Sequence, residues 1–401
     1  MKTVVIVHHT GDWGGGTKSL VDLCEMLRKD YRVVVCIPKG YPAFAEKIAQ
    51  YGCSVHELSV SVPFVNLYSG SPPLLSVISL RSIRSLFNMR RVGDEILSLK
   101  PDIVLFNTLV TAVTARYLSR YTKVVCIDRE TLTGRLSIRL YRRLLDRHLD
   151  AITCLSEYER KKLDFKHADS LVFPDCIRMD ALTAGDAAEI RAKEGISDDR
   201  YAVLFMGGLA QLKGTDVMLE AVDALDERFV LIFAGAMNEA KLSKKQLLHD
   251  LKYPGIYRFK KRVIRSYQRL KGTPKLYEAG LQDSVDELII ASDLVVFPST
   301  SVHQPRPCIE AGAYGKPVIL SDYPETAEFF RDGYNALTFR PGDARDLAGK
   351  ILYACENPAE MERLGNNNRR MTETKHDFYS CKEIICSLIE KVCKDAHQNQ
   401  R

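Results

Sequence analysis

Short runs of apolar residues, each about the length of a strand, alternate in the first half of the chain with segments of helical period. A strand that is covered on both faces shows no polar alternation, so these runs predict buried parallel strands. Helical segments between them complete a βαβ series, which is typical of a doubly wound sheet. The predicted strands are Val4–Val7, Val33–Ile37, Ile103–Phe106, Val124–Ile127 and Ala151–Leu155, and the predicted helices cover 18–28, 43–50, 110–119 and 137–147.

The same rhythm restarts after residue 200. It predicts strands at Val203–Met206, Phe229–Phe233, Leu294–Phe297 and Pro317–Leu320, and a helix at 216–225. We therefore expect an α/β protein with two Rossmann-like doubly wound domains, over residues 1–180 and 181–375. A closing helix at about 376–395 is apolar on one side and is expected to pack back on the first domain. Ligands bind at the carboxyl ends of the strands of such sheets, so we expect the domains to face a shared cleft.

Length and composition agree with two globular domains. The chain has 401 residues, of which 46% are hydrophobic and 27% charged, and one core seldom organises so long a chain. The eleven cysteines include no CxxC pair, which predicts neither a disulfide framework nor a metal site. The apolar stretch 3–7 is too short for a signal peptide, and no run reaches the roughly 18 residues of a membrane span. We therefore expect a cytoplasmic protein.

Positive charge is concentrated in residues 241–275, where twelve Lys or Arg accompany a single acid, Asp250. This break in composition indicates an insertion, and 258–271 within it has the spacing of a basic amphipathic helix. Further basic segments cover 81–91 and 135–147. Such charge fits a solvated face or a peripheral contact with an anionic membrane surface, and both alternatives stay open. Nucleic acid is not an expected partner, because no reader motif accompanies the charge.

A glycine turn follows the first predicted strand. Gly14, Gly15 and Gly16 lead into the helix that starts near Thr17. Backbone without a Cβ can approach a ligand closely, and free amides at a helix start favour an anion. Gly15 and Gly16 are therefore candidate donor-binding residues, although a tight strand-to-helix turn needs glycine in any case.

A second glycine turn follows the first predicted strand of the other half. It contains Gly207, Gly208, Lys213 and Gly214, without the spacing of a P-loop. A lysine at this edge can set its ammonium against a diphosphate and stabilise a departing negative charge. The alternative is a solvated surface lysine beside a turn.

The stretch 299–315 contains a short helix framed by Pro307 near its start and Gly315 at its end. Its start points toward the carboxyl end of the strand 294–297, where a phosphate would bind. Glu310 lies in the first turn, and its carboxylate can accept hydrogen bonds from both hydroxyls of a ribose. An acid at a helix start also interacts with the helix dipole, which is the structural alternative.

Together these motifs resemble the retaining GT-B glycosyltransferases called glycosyl transferases group 1, over almost the full chain. The family's amino-terminal glycine turn is similar to 14–20, and its Asp-Gly-x-Asn-(Gly or Ala)-Leu segment is similar to 332–337. Its donor-phosphate lysine is matched by Lys213. Its ribose-binding glutamate, which precedes an Ala-x-Ala-x-Gly-x-Pro-Val-Ile run, is matched by Glu310.

The chain departs from the family pattern at three places. Val302 stands where a second glutamate is usual, Gly208 where an arginine is frequent, and Asn107 near the loop that often carries a histidine. Some members have a His-x-x-Arg-Pro pattern, to which His303 and Arg306 are similar. Arg306 is expected to supply the charge that is missing at position 208, so that it joins Lys213 as a catalytic residue.

The resemblance also implies residues on the acceptor side. Arg129 and Glu130 follow the strand 124–127, and family members with an Arg-Glu pair there direct it toward the acceptor. Asn107 is the third residue of this group. An ion pair on the surface is the alternative for Arg129 and Glu130.

The resemblance implies a retaining glycosyltransferase that moves a sugar from a nucleoside-diphosphate sugar to a glycan or lipid-linked acceptor, in surface polysaccharide or glycolipid synthesis. It implies no side-chain nucleophile, no metal ion and no cofactor apart from the donor substrate. A nucleotide-sugar epimerase or hydrolase on the same fold is one alternative. A non-catalytic subunit that binds a nucleotide sugar is another, which Val302 and Gly208 keep open.

Overall fold

The computed structural model describes residues 1–11, 15–65, 85–132 and 134–398. The chain divides into two compact units. Unit 1 comprises Met1–Cys176 and His376–Arg401, and unit 2 comprises Ile177–Lys375.

The elements are numbered in chain order. The strands are β1 (Thr3–Val7), β2 (Arg32–Pro38), β3 (Ser54–Leu58), β4 (Ile103–Phe106), β5 (Lys123–Ile127), β6 (Ala151–Cys154), β7 (Asp169–Val172), β8 (Tyr201–Phe205), β9 (Phe229–Ala234), β10 (Leu276–Gly280), β11 (Leu294–Phe297), β12 (Val318–Ser321) and β13 (Leu337–Phe339). The helices are α1 (Gly15–Leu27), α2 (Pro42–Ala49), α3 (Met89–Ser98), α4 (Ala115–Leu118), α5 (Arg135–Leu145), α6 (Glu157–Leu163), α7 (Ala187–Glu194), α8 (Thr215–Ala224), α9 (Lys244–Asp250), α10 (Pro254–Leu270), α11 (Asp286–Ala291), α12 (Arg306–Ala313), α13 (Ala344–Glu356), α14 (Pro358–Lys375) and α15 (Phe378–Gln398).

Each unit is built on one parallel sheet. The order in unit 1 is β3-β2-β1-β4-β5-β6-β7, and the order in unit 2 is β10-β9-β8-β11-β12-β13. Both follow the Rossmann pattern, in which the chain order reverses next to the first strand. The reversal lies between β1 and β4 in unit 1 and between β8 and β11 in unit 2. The predicted α/β class with two doubly wound sheets is therefore confirmed.

The central strands are buried on both faces, as their continuous apolar runs predict. In β1, Val4 and Ile6 belong to one core of unit 1, while Val5 and Val7 belong to the other. Helix α15 contributes Ile385 and other apolar side chains to the core that contains Val4. The C-terminal helix is thus part of unit 1, although most of that unit comes from the first 176 residues.

The strand predictions miss β3, β7, β10 and β13. These four strands are the edges of the two sheets. An edge strand is only partly covered, so its sequence lacks a continuous apolar run. In β10, for example, no residue is fully buried. The helix predicted over 110–119 is also shorter, with a 3₁₀ turn at Ala112–Thr114 followed by α4.

The basic segment 241–275 carries the crossover from β9 to β10, so its helix α10 is an integral part of the unit 2 fold. Its helix α10 buries the apolar face formed by Phe259, Val263, Tyr267 and Leu270 in the core of unit 2. Lys260 pairs with Asp250 at 2.5 Å. Arg262 lies 3.0 Å from Asp216, and it also pairs with Glu220. Arg269 pairs with Asp223. The apolar face of α10 is therefore unavailable to a membrane, and three of its cations are neutralised within the fold.

In the part of the chain that the structure describes, no helix has both the length and the apolar character needed to cross a membrane.

Candidate functional site

The loops after β8, β9 and β11 meet in unit 2 with their backbones in close contact. Gly214 has a φ of +74°, and a Cβ at this position would lie 1.7 Å from the carbonyl oxygen of Pro298, directly after β11. Gly235 follows β9 with a φ of +113°, and its Cβ would lie 2.7 Å from Cα of Gly208. Only glycine fits either position without moving the backbone. The three strand ends therefore enclose a compact cradle at the switch point of the sheet.

Lys213 lies on a rigid turn in this cradle. It ends the 3₁₀ turn Gln211–Lys213, and α8 begins two residues later. The hydroxyl of Thr215 accepts a hydrogen bond from the Ala210 amide at 2.9 Å and donates to the Gly208 carbonyl at 2.6 Å. Thr300 donates its amide to the carbonyl of Leu212 at 3.0 Å, which ties the turn to the loop after β11.

The Lys213 side chain is partly buried. Burial lowers the pKa of its ammonium, and the negative charge of Glu310 opposes this effect. No described residue forms a direct ion pair with Lys213. The electrostatic attraction between a desolvated cation of this kind and a bound anion is stronger than that of an exposed lysine.

Helix α12 brings Arg306 and Glu310 to the same place. The Nε of Arg306 lies 3.1 Å from Oε1 of Glu310, one turn along the helix, and both side chains are 14% exposed. Cys308 and Ile309 donate their amides to the carbonyl of Pro305, and Pro305 and Pro307 have no N–H. The helix start therefore presents fewer free amides to an anion than the sequence predicts. The guanidinium of Arg306 is then the main hydrogen-bond donor for an anion at this helix.

The orientation of α12 depends on close packing against α14. A Cβ on Gly312 would lie 2.2 Å from Oγ1 of Thr372, and a Cβ on Gly365 would lie 2.1 Å from the carbonyl oxygen of Gly315. The buried Asn368 donates its side-chain amide to the Cys308 carbonyl at 3.2 Å. Glu310 is thus held on a helix whose distance from its neighbour is set by small residues.

Three further donor-site predictions, Gly207, Gly208 and His303, also lie in this part of unit 2, whereas the predicted donor-site residues Gly15 and Gly16 belong to unit 1. The ring of His303 stacks on Phe297, the last residue of β11, with ring centres 5.9 Å apart. Gly207 is packed against the ring of Phe205. Gly208 has a φ of +55°, so an arginine at this position would be strained. That conformation agrees with placing the second cation on α12 instead.

Unit 1 gathers polar side chains at the equivalent edge of its own sheet. Asn107 follows β4 and His8 follows β1, and both are buried. The Nε of Arg129 donates to Oδ1 of Asn107 at 3.2 Å. Because an arginine can only donate, the amide nitrogen of Asn107 must face His8 Nδ1, at 3.2 Å, and the Gly16 carbonyl, at 3.5 Å. Gly14 lies outside the described residues, and Gly15 is the first residue of α1.

Arg129 and Glu130 have separate partners. Arg129 Nη1 pairs with Asp175 Oδ1 at 2.9 Å, and the same oxygen accepts the Ser19 hydroxyl at 2.9 Å. Glu130 accepts the amide of Leu109 at 2.9 Å and the hydroxyl of Thr108. The sequence left open an ion pair on the surface for Arg129 and Glu130. Among the described residues, these two side chains do not pair with each other. Glu130 shapes the loop after β4, while Arg129 lies beside Asn107.

His8, Ser19 and Asp175 belong to this network but were not predicted from the sequence. His8 directly follows a predicted strand, which is a usable signal. Ser19 and Asp175 are 156 positions apart, and no local pattern indicates that they meet. Over the residues that the structure describes, no three His, Cys, Asp or Glu side chains form a group able to hold a metal ion.

His8 makes the stability of the protein sensitive to acid. Burial, then the charges of His9 and Arg129, lower the pKa of His8 from 6.5 to about 3. The unfolded chain takes up this proton below pH 6.5 and the folded chain does not, so folding stability falls as the pH drops from 6.5 toward 3. As the pH falls through this range, the free energy of unfolding of the wild type should decrease by about 1.4 kcal/mol per pH unit more than that of His8→Gln. Denaturant titrations between pH 4.5 and 7 measure this, and equal slopes would contradict it.

Two family models match the chain. The model described as Glycosyl transferases group 1 matches residues 186–371, within unit 2, and the model described as Glycosyltransferase Family 4 matches residues 13–168, within unit 1.

The chain is similar to a number of curated relatives and solved structures, including the following three. An uncharacterized glycosyltransferase of Methanocaldococcus jannaschii is 26% identical over 61% of this chain and 60% of its own length. A D-inositol 3-phosphate glycosyltransferase of Geodermatophilus obscurus is 27% identical over 48% of this chain and 42% of its own length. Both matches therefore span less than two thirds of the relative. Alr3699/HepE of Anabaena, solved in complex with UDP, superposes with a TM-score of 0.76 at 18% identity, over 98% of this chain and 100% of that one. This likeness shows the fold, which is GT-B.

Proposed function

We propose a function for this chain from the premise that it belongs to the glycosyl transferases group 1 family: it is a glycosyltransferase that moves a sugar from a nucleoside-diphosphate sugar to an acceptor. The reaction retains the configuration of the sugar, and the acceptor is a glycan or a lipid-linked sugar in surface polysaccharide or glycolipid synthesis. It takes place on the cytoplasmic side of the membrane.

One observation supports the proposal above the others. The cation of Lys213 and the Arg306–Glu310 pair lie at the carboxyl ends of β8 and β11, at the switch point of the unit 2 sheet. A nucleotide binds a doubly wound sheet at this point. Two cations suit a diphosphate, and a carboxylate suits the two hydroxyls of a ribose. The structural relative HepE was solved with UDP and also with UDP-glucose.

These side chains have distinct tasks in the proposed reaction. The bond from the anomeric carbon to the phosphate oxygen breaks, and the diphosphate leaves with the electron pair. Lys213 and Arg306 stabilise the charge that grows on it, which lowers the barrier. Glu310 holds the ribose before and during the step. The acceptor oxygen bonds to the anomeric carbon and gives up its proton to the departing phosphate oxygen, and we assign Asn107 and Arg129 to the acceptor side.

The test is release of nucleoside diphosphate from a panel of nucleotide sugars, with and without added glycan or lipid-linked acceptors. We expect release that depends on both a donor and an acceptor. Release without an acceptor would identify a hydrolase, and a changed sugar without release would identify an epimerase. Binding of a donor without either outcome, across the panel, would make the chain a non-catalytic subunit.

We also expect turnover to continue in the presence of EDTA. The charge of the diphosphate is balanced by Lys213 and Arg306 in the proposed site, so a divalent ion is not needed for that purpose. The measurement is the initial rate before and after dialysis against the chelator. Loss of activity that Mg²⁺ or Mn²⁺ restores would show that a metal ion, and not the two side chains, neutralises the leaving group.

A further inference from the structure

The outer face of α5 in unit 1 carries arginines and leucines together. Arg135, Arg139 and Arg143 recur at four-residue intervals and are all exposed, so they lie along one side of the helix. Leu136 and Leu140 lie beside them and are 60% and 37% exposed. The opposite side, with Ile138, Tyr141 and Leu145, is buried in the unit 1 core. These five exposed residues, two leucines among three arginines, are named the α5 surface.

Three carboxylates that follow α5 in the chain are already used by other groups. Asp146 accepts the backbone amides of residues 166–168. Asp164 pairs with Arg142 and Lys166, and Glu157 pairs with Arg160. None of the described residues forms an ion pair with Arg135, Arg139 or Arg143. The neighbouring helix α4 adds exposed Arg116, and Arg120 follows it. The charge of this face is thus positive and uncompensated.

We propose that the α5 surface docks unit 1 on an anionic lipid bilayer. The arginines are placed to meet lipid phosphates, while the two leucines are placed to enter the boundary between the headgroups and the acyl chains. The charge complementarity and the exposed leucines on the same helix face favour a lipid surface over a nucleic acid, which offers no apolar layer to a leucine. This inference does not depend on the proposed enzymatic activity.

Helix α10 of unit 2 provides a matched comparison. Arg258, Lys261 and Arg265 are exposed, and no described acid pairs with them. Ile256 is exposed in the first turn of α10, but the apolar positions that accompany these cations further along the helix are internal. A triple substitution on α10 therefore removes the same charge as a triple substitution on α5, without touching the leucines.

The experiment measures binding of the full chain to sedimenting vesicles of phosphatidylcholine, alone or mixed with phosphatidylglycerol. We expect binding to the anionic vesicles only, and loss of binding at high salt. Arg135→Gln with Arg139→Gln and Arg143→Gln should weaken the partition on the order of a hundredfold, at about fivefold per cation. Leu136→Ser with Leu140→Ser should weaken it on the order of tenfold. Arg258→Gln with Lys261→Gln and Arg265→Gln should change it by less than about threefold.

Three outcomes would overturn the proposal. The α5 triple variant could bind as tightly as the wild type, the α10 variant could lose as much binding as the α5 variant, or neutral vesicles could bind equally well. Tight binding to a DNA duplex with none to anionic vesicles would also reject a lipid partner. All substituted residues are exposed, and an unchanged thermal unfolding transition verifies that each variant is folded.

Discussion

Lys213→Ala is expected to lower kcat about a hundred- to a thousandfold, while the KM for the donor changes much less. The ammonium is partly buried, without a direct partner among the described residues, and its turn is tied to the loops after β8 and β11. In the proposed reaction it meets charge that is largest in the transition state. Loss of one such donor costs roughly 2.7–4 kcal/mol in comparable sites. Steady-state kinetics over a range of donor concentrations measure both constants.

A matched control is Lys193→Ala. This lysine is also in unit 2, but it is exposed and pairs with Glu287 at 2.7 Å on the surface. Its removal should leave both constants near those of the wild type. Normal kcat in Lys213→Ala would show that Lys213 does not contact the leaving group, and Arg306 would then be the remaining cation to substitute.

Glu310→Gln is expected to raise the donor KM by about ten- to a hundredfold, with kcat closer to the wild-type value. In the proposed complex the carboxylate holds the ribose equally in the ground state and the transition state, so its loss weakens binding without changing the chemical step. A hydrogen bond to a charged group contributes about 1.5–3 kcal/mol. The glutamine side chain retains an oxygen that can accept from Arg306 Nε, which keeps the guanidinium in place.

Glu310→Ala provides the comparison. Alanine cannot accept the hydrogen bond from Arg306, which in the wild type spans 3.1 Å. We expect this variant to lower kcat as well as raise KM, because the guanidinium loses the contact that orients it toward the diphosphate in the proposed site. A fall in kcat of the same size in both variants would contradict the separation of roles between Glu310 and Arg306.

The central strands could be predicted from the sequence because both of their faces are covered. In β1 and β4 every residue is buried, so the apolar run is continuous and independent of what packs against it. The edges β3, β7, β10 and β13 carry mixed sequences, since part of each strand faces solvent. The sequence therefore predicted the fold class correctly, but it missed the outer limits of both sheets.

The turn residues of unit 2 could also be predicted from the sequence, because each belongs to a short local motif. Lys213 and Gly214 lie within one turn, and Arg306 and Glu310 are four residues apart on one helix. Their pairing at 3.1 Å follows from that spacing once the helix is known. By contrast, the network from His8 through Asn107 and Arg129 to Asp175 joins four distant parts of the chain. Its contacts depend on the strand order β1-β4-β5, which brings these strand ends side by side.

The two basic helices show what only the tertiary structure decided. From periodicity alone, α5 and α10 are both cationic and amphipathic, and the sequence predicted a basic amphipathic helix over 258–271, which overlaps α10. In the folded chain α10 crosses from β9 to β10, so its apolar face is internal, and acids of unit 2 neutralise three of its cations. On α5 two leucines and three arginines remain exposed. Periodicity along a chain specifies which residues share a face of a helix. Whether that face is buried, paired or exposed depends on neighbours that are far away in sequence.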